Sequence, residues 1–110
     1  MKQYIIDDLR PDDYQKIKAY LDDQLTVDSM EGLYWMPLDK HLLSATQANH
    51  HQCQPFYIAL ELTPIQLSCE LLIRTQNRIR CDCINYANET QRNWIITTID
   101  AIFEKLKIYT

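Results

Sequence analysis

The chain has 110 residues, a net charge of −4 and a pI near 5.2, with 46% apolar and 24% charged side chains. That size and balance fit one globular domain spanning 1–110, burying about two thirds of its unfolded surface, and exclude a disordered chain. Lys and Arg are too few for general affinity toward nucleic acid or an anionic membrane, and the single glycine, Gly32, excludes phosphate-cradling and dinucleotide-binding loops.

Asp7 and Asp8 interrupt the first apolar run before it could act as an export signal, and the longest run, Phe56 to Leu60, falls far short of the roughly 20 residues that span a bilayer. A cytoplasmic, reducing compartment is therefore expected, in which cysteines are free thiols or metal ligands. Pro11-Asp12-Asp13 has the form of a helix start, because proline is tolerated in the first turn and the acids face the positive end of the macrodipole. Tyr14, Ile17, Leu21 and Leu25 follow at helical spacing, which predicts a helix over 11–24 with one buried stripe. Gly32 then opens the apolar stretch Leu33-Tyr34-Trp35-Met36, closed by Pro37. A short second helix is predicted over 37–49 from Leu38, Leu42, Leu43 and Ala45, ending near His50-His51. His41, Ser44, Gln47 and His51 would form a wet, polar row along it.

From Pro55 the period changes to two. Phe56, Ile58, Leu60 and Leu62 alternate with Tyr57, Ala59, Glu61 and Thr63, and a second strand sets Leu67, Cys69, Leu71 and Ile73 against Ser68, Glu70, Leu72 and Arg74. A turn at Gln76-Asn77 leads to a third strand carrying Ile79, Cys81 and Cys83. Asn88 and Gln91 have capping-box spacing, and Ile95, Ile99, Ile102, Phe103 and Leu106 line a closing helix. The expected fold is α+β: an antiparallel sheet of three to four strands, with the N-terminal, second and C-terminal helices on one face. In outline it resembles the small acidic α+β chaperone and adaptor domains of bacteria that work as dimers.

All four cysteines, Cys53, Cys69, Cys81 and Cys83, fall in one stretch just after His50 and His51, spaced Cys-x15-Cys-x11-Cys-x-Cys. Apolar pairing of the last two strands would set Ile73 against Ile79, Leu71 against Cys81, Cys69 against Cys83 and Glu70 against Asp82. Cys69, Cys81 and Cys83 would then share the buried face as core, leaving Cys53 as the thiol that meets solvent. A metal reading assigns His50, His51, Cys53, Cys69, Cys81 and Cys83 as candidate ligands, zinc being the candidate ion. A catalytic reading takes Cys53 as a nucleophile activated by His50 or His51.

Leu33, Tyr34, Trp35 and Met36 are the candidate interface, since Tyr, Trp and Met are enriched in interfaces and four consecutive apolar residues cannot all face inward. The sequence reading is a non-enzymatic module that binds a protein partner or forms a homodimer, without cofactor, nucleic acid or membrane. A metal-binding domain is the alternative, and a thiol enzyme comes third.

Overall fold

The computed structural model describes residues 2–75 and 81–109. The elements run β1 (Gln3–Ile6), α1 (Pro11–Gln24), β2 (Thr26–Val27), β3 (Leu33–Pro37), α2 (Ala45–Asn49), β4 (Phe56–Leu62), β5 (Leu67–Glu70), β6 (Leu72–Thr75), β7 (Asn85–Tyr86) and α3 (Glu89–Lys105). One-turn 3-10 segments at Lys40–Leu42 and His51–Cys53 flank α2. The fold is α+β with an antiparallel sheet, but among the described residues that sheet has seven strands rather than three to four. Its main order is β1-β5-β4-β3-β2, with β6 pairing the start of β4 and β7 pairing β6. No helix among the described residues is long and apolar enough to cross a membrane.

Helix α1 begins at Pro11 and ends at Gln24, the predicted limits, and Ile17 and Leu21 are its fully buried positions. Helix α3 starts from the reciprocal capping box in which Asn88 Oδ1 accepts from the Gln91 N–H and Gln91 Oε1 accepts from the Asn88 N–H. The second helix is shorter than predicted and broken. Pro37 belongs to β3, Asp39 caps the 3-10 turn by accepting from the His41 N–H, and Leu43 is extended. A second box, Ser44 with Gln47, then starts α2, so the expected polar row does not run along one helix and Gln47 is buried.

Strand alternation divides the sheet into two faces. Tyr34, Met36, Ile58, Leu60, Leu67, Cys69 and Ile73 enter one buried cluster together with Ile17 and Leu21 of α1 and Ile95, Ile99 and Phe103 of α3. Burying such side chains at about 25 cal/mol per Å² is the dominant stabilising term. Tyr4 on β1 donates to Asp100 Oδ1 of α3 at 2.5 Å, and loss of solvent, with that bond second, pushes its hydroxyl up to about 12.

Strands β5 and β6 form one bent length opposite β4. The register is Leu60 to Cys69 at one end and Tyr57 to Arg74 at the other, so two extra residues bulge out near Leu71 without changing parity. Residue parity in this segment matches the sequence expectation, whereas the return strand does not. Ile73 pairs Asn85 and Leu72 pairs Tyr86, while Cys81 to Cys83 form a turn outside the sheet. Cys69 pairs Tyr4 and Leu60, and Glu70 pairs Gln3, so the expected Leu71–Cys81, Cys69–Cys83 and Glu70–Asp82 pairings are replaced. The Gln76-Asn77 turn and the Ile73–Ile79 pair lie outside the described residues.

Gly32 has φ +84° at the entry to β3, and its carbonyl accepts from the Leu62 N–H at 2.8 Å. A Cβ there would stand 2.7 Å from the Leu62 carbonyl oxygen, so both the dihedral and the close approach require glycine.

Two carboxylates anchor β3. Asp22 accepts from the Tyr34 hydroxyl at 2.5 Å and from Lys18 Nζ at 3.0 Å, and Asp28 accepts from Trp35 Nε1 at 2.8 Å and from the Met30 N–H at 3.1 Å. The tyrosine bond, then the lysine, holds Asp22 below the usual carboxylate range, and the indole bond does the same for Asp28. Groups lowered on folding stabilise the native state above their unfolded value and lose that contribution as pH falls through the folded one. Urea midpoints are therefore expected to hold above about pH 4 and to decline below it, the unfolded carboxylate titrating near 3.9. Asp28→Asn should flatten part of that decline. An unchanged slope in the variant would remove Asp28 from the account.

Candidate metal centre

The site is built from two short segments that flank the β4–β6 unit in the chain and meet in space, because the start of β4 pairs with the end of β6. Helix α2 ends at His50, whose N–H bonds the Gln47 carbonyl, and the following 3-10 turn is closed by the Cys53 N–H on the His50 carbonyl at 3.0 Å. That turn brings His50 and Cys53 to the same side. The second segment is the turn 81–84, closed by the Ile84 N–H on the Cys81 carbonyl at 3.0 Å and braced by Asn85 Nδ2 on the Asp82 carbonyl. A Cys-x-Cys pair in a strand would point both thiols one way about 6.5 Å apart. The turn instead lets Cys81 and Cys83 converge.

One donor atom from each of His50, Cys53, Cys81 and Cys83 lies within 4.8 Å of all the others. Cys53 Sγ is 3.8 Å from Cys81 Sγ, and His50 Nδ1 is 3.0 Å from Cys81 Sγ. A tetrahedral zinc with bonds of about 2.3 Å to sulfur and 2.0 Å to nitrogen requires sulfurs about 3.8 Å apart and a nitrogen about 3.5 Å from sulfur. The Cys53–Cys81 pair meets the first figure, and His50 and Cys81 need only roughly half an ångström of movement for the second. His50 Nε2 faces Asp82 Oδ1 at 3.5 Å, so a carboxylate stands on the far side of the ring from Nδ1, the relation that would orient a ligating imidazole.

Burial is uneven. Cys83 is 0% and Cys53 2% exposed, while Cys81 and His50 are half-buried, so an ion here would be closed off from one side and reachable from the other. Sequence parity had put Cys53 in solvent; the structure inverts that, because the 3-10 turn tucks it under β6, where its carbonyl accepts from the Thr75 hydroxyl. Hydrogen bonds from the Cys83 side chain and backbone, then from Cys53 and His50, hold the Cys81 thiol below its ordinary value. Desolvation, then the bonds to Cys81 and Cys53, pushes Cys83 up to about 12.

Behind the cluster lies a buried amide pair. Gln47 Nε2 donates to the Cys83 carbonyl at 3.1 Å, and Gln47 Oε1 accepts both from the Ser44 N–H and from Gln91 Nε2 at 2.9 Å. Gln91 Nε2 also reaches the Leu42 carbonyl at 2.9 Å. The two capping boxes therefore hold the site as well as their helices, and no described buried side-chain polar atom lacks a partner.

Of the sequence candidates, His50, Cys53, Cys81 and Cys83 come together. His51 is exposed and outside the group. Cys69 is buried elsewhere, beside Tyr4 and Leu60, where loss of solvent, with the Asp100 charge second, pushes its thiol up to about 12. Sequence reasoning missed Asp82, Gln47, Gln91 and Thr75. It also passed over a signal: His50-x-x-Cys53 has the gap of a Cys-x-x-Cys pair with imidazole for one thiol, and Cys81-x-Cys83 supplies the second pair. The interface candidates are divided by alternation, Tyr34 and Met36 into the core, Leu33 and Trp35 half-buried on the opposite face. Scans against protein-family models, curated proteins and solved structures each found no match.

Proposed function

We propose that the chain is a zinc-binding domain, with His50 Nδ1 and the sulfurs of Cys53, Cys81 and Cys83 as ligands. The observation that carries this reading is the convergence of four soft donors within 4.8 Å, from two segments far apart in sequence. Three thiolates and one imidazole in a tetrahedral arrangement suit zinc better than the hard cations, which prefer oxygen. All four positions would be filled by protein, which is the mark of a structural rather than a catalytic ion. The ion's chemistry would be to cross-link the loop before β4 to the loop after β6. This reading overtakes the partner-binding one, which no geometry of comparable specificity supports.

A thiol enzyme has one observation in its favour. Cys81, His50 and Asp82 stand in nucleophile–base–carboxylate order, at 3.0 Å and 3.5 Å. That order leaves Cys53 and Cys83 without a role, however, and only a metal uses all four groups.

Protein purified without chelator is expected to carry one zinc per chain by mass spectrometry of the metal. Exchange for Co(II) should give the thiolate charge-transfer and d–d bands of a tetrahedral site. Cys69→Ala should leave both unchanged, and Cys53→Ser should abolish the stoichiometry. Absence of stoichiometric metal from the unmodified protein sinks the proposal.

A further inference from the structure

The face of the sheet opposite the core carries a trough of about 500 Å³ that the zinc reading does not use. Its origin lies in side-chain size. Strands β4 and β5 turn Ala59 and Ser68 outward at the middle of the sheet, while β3 raises Trp35 and Leu33 on one side and Glu70, at the end of β5, stands on the other. The small residues form a floor, both of them buried, and the large ones form the walls.

Charge and ring orientation select the occupant. Arg74 spends its guanidinium on Glu70 through two bonds, Nε to Oε1 at 2.8 Å and Nη2 to Oε2 at 3.1 Å. Glu61 has no cationic partner among the described residues, so the trough retains a net negative charge in a chain that is itself acidic. The Trp35 indole is tied by its N–H to Asp28, and the Tyr57 ring meets it edge-on at 6.3 Å, which keeps the indole in place as a wall. In the register Trp35 pairs Ala59, so Glu61 is its diagonal neighbour, about 7–8 Å away. An ammonium entering between them meets a carboxylate and lies within the roughly 6 Å at which an indole attracts a cation.

We propose that this trough docks an extended basic peptide segment of a partner protein, with a lysine ammonium seated between the Trp35 ring and the Glu61 carboxylate. The extended form follows from the trough's course over the outward residues of paired strands, and the lysine from the pairing of an aromatic wall with an unpaired acid. Zinc occupancy plays no part in the inference.

The test uses the full chain carrying Trp94→Phe, so that Trp35 is the one tryptophan, and acetylated, amidated Lys-Ala-Lys-Ala-Lys as probe. Trp35 emission should change saturably with the peptide, half a molar NaCl should suppress the change, and Glu-Ala-Glu-Ala-Glu should produce none. Glu61→Gln should weaken the effect about tenfold or more while leaving the circular dichroism and thermal midpoint unchanged. No saturable change at millimolar peptide overturns the proposal, as does an equal response in Glu61→Gln. Trp35 protection through dimerisation, seen by sedimentation without peptide, also overturns it, assigning the trough to a second copy.

Discussion

Chelation lowers the thermal midpoint of the wild-type protein by roughly 10 °C and leaves Cys83→Ser, already metal-free, unmoved: this is the expected result if the four-donor cluster holds zinc. Zinc-finger peptides gain about 10–16 kcal/mol from their ion because they have no other core. This chain has one, built on Ile17, Leu60, Ile95 and Ile99, so the ion should add only part of that sum, about 3 kcal/mol. For a domain of this size that corresponds to a shift of roughly 10 °C. Cys83 is the most telling position, being fully buried and a ligand, while serine nearly conserves its volume. Cys69→Ser is the control: also fully buried, it should cost core stability while keeping its full response to chelator. If wild type and Cys83→Ser melt together with and without chelator, the cluster is packing and not a metal centre.

Replacing Gln47 by leucine should cost about 3 kcal/mol in urea unfolding, more than most single changes, because one side chain serves three elements. Its removal leaves the Cys83 carbonyl and the Ser44 N–H without their bonds, and takes from Gln91 one of two acceptors. Each buried group so abandoned costs about 1–3 kcal/mol. Gln47 touches no donor atom, yet it positions the turn that presents Cys83. Zinc affinity, measured by competition with a chromogenic chelator, should therefore fall about 10- to 100-fold, the usual cost of removing a supporting hydrogen bond behind a ligand. A stability loss without any change in zinc affinity would separate the amide pair from the metal site and leave it a helix cap alone.

The parts of the fold that were legible carry their instructions locally. Pro11-Asp12-Asp13 and the Ile17–Leu21 stripe sufficed for α1, Asn88 with Gln91 for the start of α3, and strict alternation for β4. Strand β3 was not legible as a strand, because alternation fails when both faces are apolar: Tyr34 and Met36 enter the core, but Leu33 and Trp35 wall a trough. Strands β1, β2 and β7 are too short to carry a period. The cysteines were misassigned for one geometric reason. Reading 79–83 as a strand gave Cys81 and Cys83 the parity of Cys69, whereas the return strand is Asn85–Tyr86 and the thiols ride on the turn before it. A slip of a few residues in a hairpin register thus separated the true cluster from Cys69, which no local propensity could have signalled.

The donors come in two adjacent pairs, one leaving α2 and one preceding β7, with the whole of β4, β5 and β6 between them. An ion joining those pairs closes a ring of chain that contains the centre of the sheet. A covalent cross-link over about 30 residues removes roughly 3–4 kcal/mol of chain entropy from the unfolded ensemble. Zinc between Cys53 and Cys81 would act as a reversible counterpart of such a link, compatible with a compartment that keeps thiols reduced. On that view the small β4–β6 unit, its two chain ends tied together, is the part of the molecule whose unfolding the ion restrains, while β1, α1 and β2 lie outside the ring.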